Sequence, residues 1–224
     1  KAFEYSRTSR TRFDASAYWE IASGQGLSSV VLRGMIGVSL IRLTLTDPDF
    51  GVVLQHEEFI SSLPSESSWY AWTFEQREPR TDFEFHGVPT YPNATLRIEA
   101  EGANNAGVGV IAVGQQYEFG IGVQLGGSLS LEDFGRTRRT EYGELELADG
   151  DYADDQTLSV VIEAQELANV KSLLVSLRNK PSLWSPSDRL SALTVWGRCR
   201  RFRIGIPYTN YLDCSLELEG FPSD

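Results

Sequence analysis

The stretch "AGVGVIAVG", residues 106–114, decides how this chain is read. Gly107, Gly109 and Ala112 have the G-x-G-x-x-A spacing of a dinucleotide-binding loop. Such a loop needs a strand before it and a helix after it, because the helix N-terminus carries the pyrophosphate. Here the preceding "EGANNA" reads as a turn, and the following "QQYEFGIG" has no helical period. The spacing therefore predicts a strand and not a nucleotide loop. Val108, Val110 and Ala112 would face one way, and Gly109, Ile111 and Val113 the other. Gly107 and Gly114 would punctuate its ends, with Gly109 allowing close backbone packing or a bulge.

Outward from this strand, the N-terminal half continues the β pattern. In "VSLIRLTLTD", Val38, Leu40, Arg42, Thr44 and Thr46 alternate with Ile41, Leu43 and Leu45. "DPDFG" is a turn, since Pro presets φ and Asp bonds back to the backbone. "VVLQHEEF", "WYAWTFE" and "TDFEFHG" follow at regular spacing, then "TLRIEAEG", where Leu96, Ile98 and Ala100 alternate with charged residues. Short strands at this spacing predict a β-sandwich or jelly roll.

The C-terminal half adds one helix. Leu167, Val170, Leu174 and Leu177 recur at spacings of three and four, which predicts a helix over about 164–179 that Pro181 stops. "RTRRTEYGELELADGDYADDQ" reads as a charged hairpin or long loop, and "TLSVVIEA" as a strand. "ALTVWGRCRRFRIGIPYTNYLDCSLELEG" reads as a closing hairpin. The pattern predicts a mainly β protein with domains at 1–114 and 115–224.

Composition narrows the function classes. Twenty Lys and Arg stand against 31 Asp and Glu, a formal charge of −11. Residues 1–114 carry 9 basic and 14 acidic groups, which leaves 11 and 17 for 115–224. Both halves are acidic, which argues against specific nucleic-acid binding and against an anionic-membrane module. No run of eighteen apolar residues exists, so no membrane-inserting helix is expected. Cys199 and Cys214 are the only cysteines. They are too few for a disulfide framework or a Cys-rich zinc site. With "PYTN" as the turn, Cys214 would face position 203, so both are expected as free thiols in a reducing compartment.

Catalytic signatures are sparse. His56 and His86 are the only histidines, and no nucleophile elbow or H-E-x-x-H helix is present. The chain is expected to be no enzyme, with no cofactor and no metal. The acidic tract Asp149, Asp151, Asp154 and Asp155 fails the EF-hand spacing, because Val160 stands where the bidentate Glu belongs. A solvated loop is expected there. The match of "NAT" at Asn93 to a glycosylation acceptor is read as chance. Trp69 and Tyr91 are the candidate sugar contacts, because an exposed aromatic marks a contact surface. In "RCRRFR", simple alternation puts Arg198 and Arg200 on one face, with Arg201 and Arg203 on the other. Arginine on both faces suits a strand emerging into a subunit interface. The acidic tract of a neighbouring copy is its candidate partner.

The runs "DASAYWEIASGQGLSSVVLRG", "LTLTDPDFGVVL", "FHGVPTYPNATLRIEAEG" and "WGRCRRFRIGIPYTNYLDCSLELEGF" resemble structural proteins of tailed bacteriophages over roughly residues 12 to 221. The N-terminal half is similar to galactose-binding-like jelly rolls, and the C-terminal half to the β-sandwich-plus-helix module of tail-tube and tail-tip proteins. The resemblance implies a non-enzymatic virion component of the tail tip or baseplate. It would be assembled in the host cytoplasm as a homo-oligomeric ring or trimer with other tail proteins. A host-surface glycan is the alternative partner, with the jelly roll as a carbohydrate-binding module.

Overall fold

A computed structural model describes residues 10–22, 24, 26–60, 80–124, 126–139, 145–148, 150–186 and 193–222. Trp69, the strand expected at "WYAWTFE" and Asp149 lie outside these residues. Among the described residues the chain is mainly β with one α-helix, and it divides into two compact units, Lys1–Gln116 and Tyr117–Asp224.

Among its described residues the first unit holds eight strands: β1 (Thr11–Phe13), β2 (Ser16–Ala22), β3 (Ser29–Arg33), β4 (Ile36–Asp47), β5 (Gly51–Phe59), β6 (Phe83–His86), β7 (Thr95–Val108) and β8 (Val110–Gly114). One sheet runs β1-β7-β4-β5, with β2 also paired to β7; the other runs β6-β3-β8. Alternation drives the inner faces together. Ile41, Leu43, Leu45, Leu96 and Ile98 from the first sheet join Val30, Leu32, Phe83 and Ile111 from the second in one buried cluster.

The opening stretch is a sheet crossing and not a single strand. Ala106, Gly107 and Val108 pair with β1, whereas Val110 to Gly114 pair with β3 in the other sheet. Gly109 is the buried joint between them, and its N–H donates to the Arg33 carbonyl at 3.1 Å. The turn expected at "EGANNA" lies inside β7. It forms a bulged excursion, because β4 spans from Ile36 opposite Gly107 to Val38 opposite Gly102. Asn105 takes φ 65°, a left-handed conformation that Asn tolerates, and its N–H is held by Asp14 Oδ1 at 2.9 Å.

The second unit holds β9 (Gly122–Val123), β10 (Ser128–Asp133), β11 (Arg136–Arg139), β12 (Leu145–Ala148), β13 (Tyr152–Glu163), β14 (Ser182–Trp184), β15 (Val195–Gly205) and β16 (Tyr211–Gly220). Its main sheet runs β10-β13-β16-β15-β14, with β9 also on β13, while β11 and β12 form a separate hairpin. After a 3-10 turn at Ala164–Glu166 comes helix α1 (Leu167–Ser176). Val170 and Leu174 of α1 are buried, with Leu167 and Leu177 half-buried beside them. They pack with Leu158, Val160, Ile162, Leu212, Cys214 and Leu216. The helix is shorter than the periodicity predicts. It ends before Pro181, with Asn179 already left-handed at φ 56°. Among the described residues this unit is a six-stranded sheet with a helix packed on it and a separate two-stranded sheet.

Candidate functional site

The arginine strand and the acidic tract carried the sequence-based expectation of an interface. β15 contains a bulge between Cys199 and Arg201. Arg198 stands opposite Glu219, Arg201 opposite Glu217 and Arg203 opposite Ser215. These three arginines therefore share the polar face of the sheet, while Cys199, Phe202 and Ile204 join the core cluster. The exposed Arg200 is the inserted residue. Simple alternation failed because one extra residue shifts every later side chain by one. Arg198 Nη2 lies 3.0 and 3.1 Å from the two carboxylate oxygens of Glu219, so this arginine already has a partner within the chain.

The acidic tract is also relocated. Asp154 and Asp155 lie within β13, opposite Leu131 and Ser130 of β10, and not in a loop. Asp155 Oδ1 accepts the Gly220 N–H at 3.2 Å, and the Asp151 carbonyl accepts the Phe134 N–H at 2.9 Å. Among the described residues no three His, Cys, Asp or Glu side chains cluster as metal ligands. Tyr91 is half-buried against the first core and lies edge-on to Phe50, with ring centroids 5.8 Å apart.

The surface that stands out is apolar, and the sequence reading passed over it. Leu129 is paired with Gln156, which pairs with Leu218, and Leu131 follows two residues on. These leucines therefore point to the same side of the sheet as the core. Yet Leu131 is 61% exposed and Leu129 nearly half exposed, because the apolar face runs on past the residues that α1 packs against. In the next hairpin, Leu145 pairs with Arg139 and Leu147 with Thr137, so both leucines share one face. Leu147 is 70% exposed, and Phe134, between β10 and β11, is also exposed. Among the described residues no strand pairs the outer edge of β10. An uncovered apolar edge strand is a template for another chain. The signal was legible as "SLSLED" and "ELEL", whose alternate leucines have no facing element in the sequence.

The first unit presents a charged face. Arg42 contacts Glu57 and Glu99, each at 3.2 Å, and Arg97 contacts Glu99 at 2.7 Å and Glu20 at 3.5 Å. Hydrogen bonds to Glu57 and Glu99 push the Arg42 pKa up. Arg97 also lies over the Tyr18 ring, 4.5 Å from its centroid. This ladder is the outward half of the alternation in β4 and β7.

The two histidines sit in different surroundings. His56 is half-buried and stacked at 4.4 Å on Phe85, with Nε2 3.5 Å from Glu58. His86 Nδ1 is 2.8 Å from Ser29 Oγ, its cross-strand partner. Glu84 lies 3.6 Å from the other ring nitrogen, too far for a hydrogen bond, and its carboxylate is engaged by the buried Arg33. Burial raises the Cys199 pKa and pushes that of Cys214 up to about 11, so neither thiol is primed as a nucleophile.

No protein family, no curated protein and no solved structure matches this chain.

Proposed function

We propose that this chain is a non-enzymatic structural component of a tailed bacteriophage particle, in the tail tip or baseplate. It acts in assembly, through self-association in a ring or trimer and contacts with other tail proteins. In this reading the first unit is a galactose-binding-like jelly roll, and the second is a module of the tail-tube or tail-tip kind.

The observation that supports the reading best is the exposure of Leu129 and Leu131 on β10, at an edge that no described strand pairs, with Leu145 and Leu147 also exposed on the separate β11–β12 sheet. A monomer gains nothing from leaving alternate leucines in water beside an unpaired strand edge, and an assembling subunit covers both in one contact. The net charge of −11 fits the same role, because an acidic wall beside a DNA passage repels passing phosphates. Mass spectrometry and side-chain-resolution reconstruction of purified particles test the proposal. The expected result is this chain in several symmetry-related copies near the tail end. Its absence from the particle would overturn the reading.

A further inference from the structure

The main sheet of the second unit leaves a stretch of backbone unpaired on each of its two sides, and the two stretches carry opposite charge. On one side lies β10, Ser-Leu-Ser-Leu-Glu-Asp, exposed at every residue and paired by no described strand on its outer edge. On the other side lies β15. The short β14 pairs with it only from Val195 to Gly197, so among the described residues its outer edge is open from Arg198 to Gly205. Three exposed arginines, Arg200, Arg201 and Arg203, stand on that open stretch. Among the described residues none of the three makes an ion pair, and neither does Glu132 of β10.

The two edges also match face by face. On β15, Phe202 and Ile204 pack against the core yet stay half-buried, while Arg201 and Arg203 lie on the polar face. On β10, Leu129 and Leu131 point to the core side, so Ser128, Ser130 and Glu132 point to the polar side. The strand directions match as well. β10 is antiparallel to β13, β13 to β16, and β16 to β15, so β10 and β15 run in opposite directions. A second copy set beside the first, with the same face inward, therefore meets it as an antiparallel pair.

We propose that the open edge of β15 receives β10 of a second copy of this chain, so that the six-stranded sheets of neighbouring copies join into one. One register satisfies every position. Leu131 stands opposite Phe202 of the next copy, Leu129 opposite Ile204, Glu132 opposite Arg201 and Ser130 opposite Arg203. A shift of two residues either way sets Asp133 against Phe202 or Glu132 against the buried Cys199. The charges select this occupant. β10 against another β10 offers its carboxylates no cation, and β15 against another β15 sets arginine beside arginine. The contact joins different surfaces on the two copies, so its repetition closes a ring. It rests on the self-association proposed above, and it names the two surfaces that make it.

The test uses the full chain as two variants, Ser130→Cys and Arg203→Cys, each alongside the native buried thiols. The two are mixed dilute, concentrated together and mildly oxidised. A disulfide-linked dimer of one of each is expected on a non-reducing gel, because facing residues of an antiparallel pair lie within disulfide reach. Either variant treated alone should stay mostly unlinked. Separately, Glu132→Arg should weaken association about tenfold, as should Arg201→Glu, and both changes in one chain should restore it. All four positions are exposed, so unchanged thermal melting identifies folded variants. An oligomer that forms without the mixed disulfide overturns this pairing and leaves self-association standing. So does equal cross-linking of Ser130→Cys alone, which would mean that β10 pairs with itself. A chain that stays monomeric at every concentration overturns the pairing and the self-association together.

Discussion

Arg201 stands opposite Glu217 across β15 and β16, because Arg200 is squeezed out of the ladder as a bulge. Deleting one of this adjacent arginine pair would leave Cys199 opposite Leu218 and the remaining arginine opposite Glu217, in unbroken register. The expected change in unfolding free energy is small, within about 1 kcal/mol, since an exposed residue is lost and the core set is kept. Urea denaturation checks this. Inserting an alanine after Phe202 should cost far more, because it turns Ile204 out of the core.

Gly102 should be irreplaceable. A Cβ there would collide with the Gly37 carbonyl oxygen and sit 2.8 Å from the Ala106 Cβ. Gly37 is itself left-handed at φ 66°, so the backbone has little room to retreat. Gly102→Ala is expected to cost about 3 kcal/mol by overpacking. Gly114→Ala meets nothing within 4 Å and should be close to neutral. Denaturation of the two variants side by side makes the comparison. Equal stabilities would contradict the close approach of β4 and β7.

Burial of Cys214 makes stability fall in alkali. Its thiol is pushed up to about 11 in the folded chain, above the ordinary value near 8.5 for an unfolded cysteine. The folded state therefore keeps the proton while the unfolded state releases it. The contribution is fully present below about pH 8.5 and is lost as pH rises toward 11. Cys214→Ala should flatten the decline in stability across that window, measured against the parent chain. Native protein at pH 8 should react slowly with a thiol reagent and quickly once unfolded.

These outcomes bear on what the sequence makes legible. Alternation in "VSLIRLTLTD" and "TLRIEAEG" identified strands, because burial of every second residue leaves a period of two in the chain itself. The helix was legible from Leu167, Val170 and Leu174 for the same reason. Insertions were not. The bulge at Arg200, the excursion at 102–107 and the crossing at Gly109 change which residues face each other without changing composition. They depend on partners far away in sequence, such as Asp14 and Gly37. The candidate surface was hidden differently. Leu129 and Leu131 look like core residues, and only the extent of α1 and its packing leaves them bare. Alternation split the arginines between two faces, and the bulge returns three of them to one polar face.

The most direct test of the central claim is sedimentation velocity of the purified chain over a range of concentrations, with Leu131→Lys alongside. The account predicts that the parent chain associates into a discrete oligomer and that Leu131→Lys stays monomeric with unchanged thermal melting. The lysine replaces an exposed leucine and puts charge on the bare edge. A parent chain that remains monomeric at every concentration, or an oligomer indifferent to the lysine, would contradict it.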